Sequence, residues 1–124
     1  MMDDAILAAL DRDLTIDITT TGRKSGEPRR IEIWYKRVDG KTYITGTPGT
    51  RDWYANMLAE PRIIFHLKES LQADLGATVR PIIDAAERGP ILSAANMSWY
   101  HANADSKQAF IDNAPLVEVI FDDA

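Results

Sequence analysis

Between Leu14 and Gly46 the chain alternates apolar and polar residues in three runs joined by two turn sequences. That pattern, more than any other, limits the fold. In the first run, Leu14–Thr21, Leu14, Ile16 and Ile18 fall on one side and Thr15, Asp17 and Thr19 on the other. This is the two-residue period of a half-buried strand. Arg29–Val38 repeats it with Ile31, Ile33 and Tyr35 on one face. Asp39-Gly40 is a two-residue hairpin turn that returns the chain as a third strand, Lys41–Gly46. Strands joined this tightly run antiparallel.

The remainder extends the same plan. Thr47-Pro48-Gly49-Thr50 is a loop, followed by a helix from about Asp52, a good N-cap, to Ala59, before Pro61. Arg62–Lys68 and Leu71–Arg80 are a fourth and fifth strand, and Leu116–Phe121 closes the set. Asp3–Arg12 reads as a short helix with Ile6, Leu7 and Leu10 on one face, lidding the core. Asp84 and Glu87 have capping-box spacing, Gly89-Pro90 interrupts the helix they open, and a second segment runs to about Met97. Ser106–Asp112 is a last helical turn or two. The expectation is a mainly β (α+β) protein of one domain, residues 1–124. Six largely antiparallel strands would close into a barrel with short peripheral helices.

Charge narrows the partners. The formal net charge is −5, yet Gly22–Arg30 carries +3, with four cations against Glu27. A concentrated basic turn on an acidic chain suits a specific anion rather than polyanions in general, and nucleic acid is disfavoured. No apolar run approaches the ~20 residues of a membrane span. The acidic start, Met1-Met2-Asp3-Asp4, is unlike a signal peptide, and the absence of cysteine excludes disulfides and thiol nucleophiles, so a cytoplasmic location is expected.

The turn is not a P-loop. It lacks the required glycine spacing, and Pro28 leads into a strand rather than a helix. It offers backbone N–H groups, the Ser25 hydroxyl and fork-shaped guanidinium groups, so it reads either as an anion site or as a solvated hairpin end. His66 and His101, the two histidines, make no metal site, and a structural role is favoured for His66.

Thr20-Thr21-Gly22-Arg23-Lys24-Ser25-Gly26 with Pro28-Arg29 resembles the opening motif of the deazaflavin-dependent nitroreductase family, split β-barrel proteins related to flavin reductases and pyridoxamine-phosphate oxidases. A second block is similar to the family's strand, glycine loop and Trp-Tyr-x-Asn helix: Tyr43-Ile44-Thr45-Gly46-Thr47-Pro48-Gly49, then Trp53-Tyr54-Ala55-Asn56. The resemblance implies coenzyme F-420, an 8-hydroxy-5-deazaflavin with an anionic phosphodiester and oligoglutamate tail. It implies Arg23, Lys24, Ser25 and Arg29 against that tail, and Thr45, Gly46, Thr47 and Gly49 along the ring. Trp53 and Asn56 would flank it, or serve as a core anchor and a backbone partner. Many members have a His-Pro pair where this chain has Thr50-Arg51-Asp52.

The implied activity is hydride transfer from the reduced coenzyme to a small conjugated acceptor: a quinone, an enone or a nitroaromatic. FMN in place of F-420, or a non-catalytic carrier of flavin, deazaflavin or haem, stays open. In the cluster Trp99-Tyr100-His101, Tyr100 or His101 is a candidate proton donor, or the cluster is an aromatic lid. A homodimer is expected, with Trp34 either in its interface or packed under a helix.

Overall fold

The computed structural model describes residues 2–122; Met1, in the acidic start, lies outside them. Helix α1 (Asp4–Arg12) is capped by the Asp3 carboxylate, which accepts from the Ala5 N–H at 2.7 Å. Then come β1 (Thr15–Thr21), β2 (Pro28–Trp34), β3 (Lys36–Val38), β4 (Lys41–Thr45), α2 (Asp52–Ala59), β5 (Arg62–Leu67) and β6 (Ala73–Pro81). The chain ends with α3 (Ala85–Leu92), a 3-10 turn (Ala95–Met97), α4 (Ser98–Asn103), α5 (Lys107–Asn113) and β7 (Leu116–Phe121). All strand pairs are antiparallel, in the order β2-β1-β5-β6-β7-β4-β3.

Seven strands therefore stand where six are expected, because the run Arg29–Val38 divides at Tyr35. Its two halves pair with opposite ends of the sheet, β2 with β1 and β3 with β4. One residue joins the two edges, so the sheet has to curl until they meet, which makes it a split barrel. Tyr35 is the pivot. Its N–H donates to the Leu14 carbonyl at 3.3 Å, its hydroxyl donates to the Leu10 carbonyl at 2.7 Å, and its ring meets Phe65 edge-on at 5.2 Å. The hairpin between β3 and β4 has Asp39 and Gly40 both at positive φ (52° and 76°), the geometry of a type I′ turn.

Two apolar clusters flank the sheet. Ile16, Ile18, Phe65, Leu67, Met57 and Val117 fill the barrel, covered at one end by Ala9 and Leu10 of α1. Tyr43, Ile82, Leu92, Met97, Phe110 and Leu116 pack beneath α3, α4 and α5. Strands β4 and β7 contribute to both clusters, so they are buried on both faces. The interruption expected at Gly89-Pro90 falls later, at Ser93 and Ala94. Pro90 lies in the last turn of α3, where its missing N–H costs one bond, and the Ser93 N–H still reaches the Gly89 carbonyl at 3.0 Å. No helix among the described residues is long and apolar enough to cross a membrane.

Candidate functional site

The basic turn between β1 and β2 is closed by its own backbone. The Gly22 N–H donates to the Glu27 carbonyl and the Gly26 N–H to the Gly22 carbonyl, both at 2.8 Å. A Cβ at Gly22 would stand 2.6 Å from the Ser25 hydroxyl oxygen and 3.3 Å from the Glu27 carbonyl, so a larger residue would have to displace that hydroxyl and press on the turn backbone. The turn folds onto α2, and Asn56 is the fastener. Its Oδ1 accepts from the Arg23 backbone N–H at 3.1 Å and from the Arg23 guanidinium at 3.0 Å, while its Nδ2 donates to the Thr20 hydroxyl at 3.2 Å. The same guanidinium reaches Asp52 at 3.3 Å, one helical turn earlier. Asp52 is thus a partner for Arg23 and not the cap. Arg51 holds the N-cap position of α2 and makes no side-chain capping bond.

This arrangement sorts the four cations. Arg23 is held by Asn56 and Asp52, and Arg30 by Asp17 at 3.0 Å. Lys24 and Arg29 pair with no carboxylate among the described residues; Arg29 contacts only the Ser25 hydroxyl, at 3.3 Å. Both line a cleft of about 470 Å³ with Ser25, Ile31, Trp53 and Asn56. Trp53 is also a wall of a second cavity, about 310 Å³, with Thr45, Gly46, Thr47 and Arg51 on one side and Trp34, Trp99 and Tyr100 on the other. Ten of the expected site residues thus fall around two adjoining hollows, one cationic and one aromatic. Gly49 is the exception. It sits behind the loop, lining a hollow beside Arg88 and Pro115, at φ 138°.

Thr45 is fixed from behind, its hydroxyl donating to the Pro115 carbonyl at 2.6 Å. Trp34 packs edge-on against Trp99 of α4 at 5.1 Å, so it does lie under a helix, while β2 around it remains mostly exposed. Tyr100 stacks on Phe110 at 5.3 Å with 5° between the rings. Burial pushes its phenol pKa up, so it stays protonated. His101 is committed elsewhere: its Nε2 lies 2.7 Å from the Leu92 carbonyl and donates to it. His66 bridges the Thr19 hydroxyl and the Asp74 carboxylate, both at 2.7 Å, on the far side of the barrel wall.

Asp52 as the partner of Arg23 has no local signal in the sequence, since the two lie on different elements. The cluster containing Trp99 is found at the second cavity, where Trp99 is a wall, and Arg51 lines the same cavity.

Two uncompensated cations stand in one hollow, aromatic surfaces line the other, and the tight turn borders the cationic one. The fold is shared with a solved F-420 reductase (17% identity, TM-score 0.70, covering 97% of this chain and 95% of that one). It is also shared with a pyridoxamine 5'-phosphate oxidase-type protein from Listeria innocua (12%, 0.69, 96% and 92%). A third structure, described as a domain-swapped dimer, is 22% identical with a TM-score of 0.57, over 85% of this chain and 78% of that one. A family model, "F420H(2)-dependent quinone reductase", matches residues 7–115, nearly the whole chain. The protein belongs to that family, whose members are reductases dependent on coenzyme F-420.

Proposed function

We propose that the cationic cleft and the aromatic cavity together form one active site, the first for the coenzyme tail and the second for the ring and a small conjugated acceptor, a quinone foremost. The observation that carries this reading is that Trp53 lines both hollows, so the two adjoin across one side chain. When bound and reduced, the coenzyme supplies a hydride to the acceptor. The chain's part is to bind, orient and protonate. Lys24, Arg29 and Ser25 take the anionic oxygens, Lys24 as a mobile point charge and Arg29 as a planar fork. Asn56 keeps the turn at the right height over α2. Trp34 and Trp99 keep water from the acceptor. The Tyr100 hydroxyl holds a proton at its oxygen and donates it to an acceptor oxygen that gains charge.

The test is a titration with F-420 and with FMN followed by turnover of a soluble quinone. F-420 is expected to bind more tightly than FMN. Tyr100→Phe is expected to lower kcat by about 10²-fold, with coenzyme affinity retained. Tight binding without turnover of any quinone, enone or nitroaromatic would make the protein a carrier.

The chain as a whole, residues 1–124, is read as one cytoplasmic domain acting as a homodimer. The support for pairing is the exposed edge strand β2, with Ile31 and Trp34 partly uncovered, together with the dimeric description of one structural neighbour. Light scattering on the purified protein should return twice the chain mass; the monomer mass would refute the pairing.

A further inference from the structure

Arg51 stands between the glycine loop and α2, and the structure gives that residue an unexpected position. Its guanidinium folds back into the loop that precedes it. Nη2 donates to the Thr47 carbonyl at 2.9 Å and to the Thr47 hydroxyl at 3.0 Å, and Nη1 donates to the Thr50 carbonyl at 3.1 Å. Gly49 makes the room: a Cβ there would stand 2.9 Å from Nη1, whereas one at Gly46 would meet Nε at 3.6 Å, an ordinary contact. Gly49 also holds φ 138°, a backbone region other residues rarely adopt. Arg51 pairs with no carboxylate among the described residues, so these loop oxygens are its partners.

We propose that Arg51 is the positioning residue of the ring-side loop, its guanidinium serving as an internal clamp that sets the shape of the second cavity from Gly46 to Thr50. A loop of this composition, with two glycines and no regular structure, is otherwise free to move, and ordering it on binding would weaken affinity. The clamp orders it beforehand. The geometry calls for a planar fork: three acceptors from two residues converge on one side chain, which a lysine ammonium cannot satisfy with the same rigidity. The functional meaning of the clamp rests on the two hollows being the F-420 site; its existence does not.

The experiment uses the full chain with Arg51→Ala and Arg51→Lys. In the protein without coenzyme, amide exchange over residues 46–51 should quicken in Arg51→Ala, while the thermal midpoint stays close to native. F-420 affinity should fall about tenfold, the loss of one charge-assisted contact set. Guanidinium ion at tens of millimolar, below denaturing levels, should restore both slow exchange and affinity, whereas ammonium at equal ionic strength should not. Arg51→Lys should fall between native and alanine. Native exchange in Arg51→Ala, or equal rescue by ammonium, overturns the clamp. Failure of the native protein to bind F-420 sinks the coenzyme reading instead, and leaves exchange and its rescue to decide the clamp alone.

Discussion

Replacing Lys24 and Arg29 together by alanine is expected to weaken F-420 binding by about 10²- to 10⁴-fold at low salt, each lost charge-assisted contact being worth about 1.5–3 kcal/mol. The two residues are singled out because their charges are free. Both line the cleft, and neither pairs with a carboxylate among the described residues of a chain with net charge −5. The loss should shrink as ionic strength rises, since screening shortens from about 30 Å at 0.01 M to about 10 Å at 0.1 M. Folding should be little affected, because neither side chain supports the core. Arg23→Ala should behave differently. Its guanidinium is bonded to Asn56 and Asp52, so its removal loosens the turn itself and weakens binding with a shallower salt dependence. Fluorescence titrations of native, double-variant and Arg23→Ala protein at two salt concentrations separate the cases. An affinity unchanged in the double variant would remove the anion site from this turn.

The strand alternation was legible because β1, β4, β5 and β7 each bury one or both faces, and burial is what writes a period into a sequence. The division at Tyr35 was not. Ile31, Ile33 and Tyr35 continue one period through it, and alternation reports which way side chains face but not which strand lies alongside. Only long-range pairing, β2 with β1 and β3 with β4, tells the halves apart. Helix α4 was missed for a related reason: six residues with Trp99 half exposed and Tyr100 buried carry too little pattern to declare a helix. The site divides in the same way. Its residue types stood out, because four cations in a short turn and a Trp-Tyr-x-Asn helix are local features. Which cations are free was hidden, since Arg23 meets Asp52 across 29 positions and Arg30 meets Asp17 across the strand pair. The role of Asn56 was similarly hidden, because its partners Thr20 and Arg23 lie on another element.

Arg88→Met is expected to cost about 3 kcal/mol of stability, the order expected when buried carbonyls lose their donor at about 1–3 kcal/mol each, out of a typical total of about 5–15 kcal/mol. Arg88 is 7% exposed and faces no carboxylate within bonding distance among the described residues. Its five-donor fork instead serves three main-chain carbonyls: Ile111 at 3.0 Å, Ile82 at 2.9 Å and Ala114 at 2.6 Å. Burial pulls its pKa down from an ordinary value so high that the group remains charged. Methionine fills much of the volume but leaves those carbonyls without a donor, and the penalty for buried unpaired acceptors exceeds the desolvation relieved. Lysine should rescue only part, because a single ammonium cannot reach three carbonyls spread over α5, the β6–α3 link and the residue before Pro115. The effect should also reach the site. The Ala114-Pro115 segment held by Arg88 accepts the Thr45 hydroxyl bond, so the strand beside the aromatic cavity loses its backing. Urea unfolding gives the first quantity, and F-420 titration of the surviving folded fraction gives the second. A stability loss below about 1 kcal/mol, the level of an ordinary surface substitution, would mean that water replaces the guanidinium at no cost and that the second apolar cluster does not depend on it.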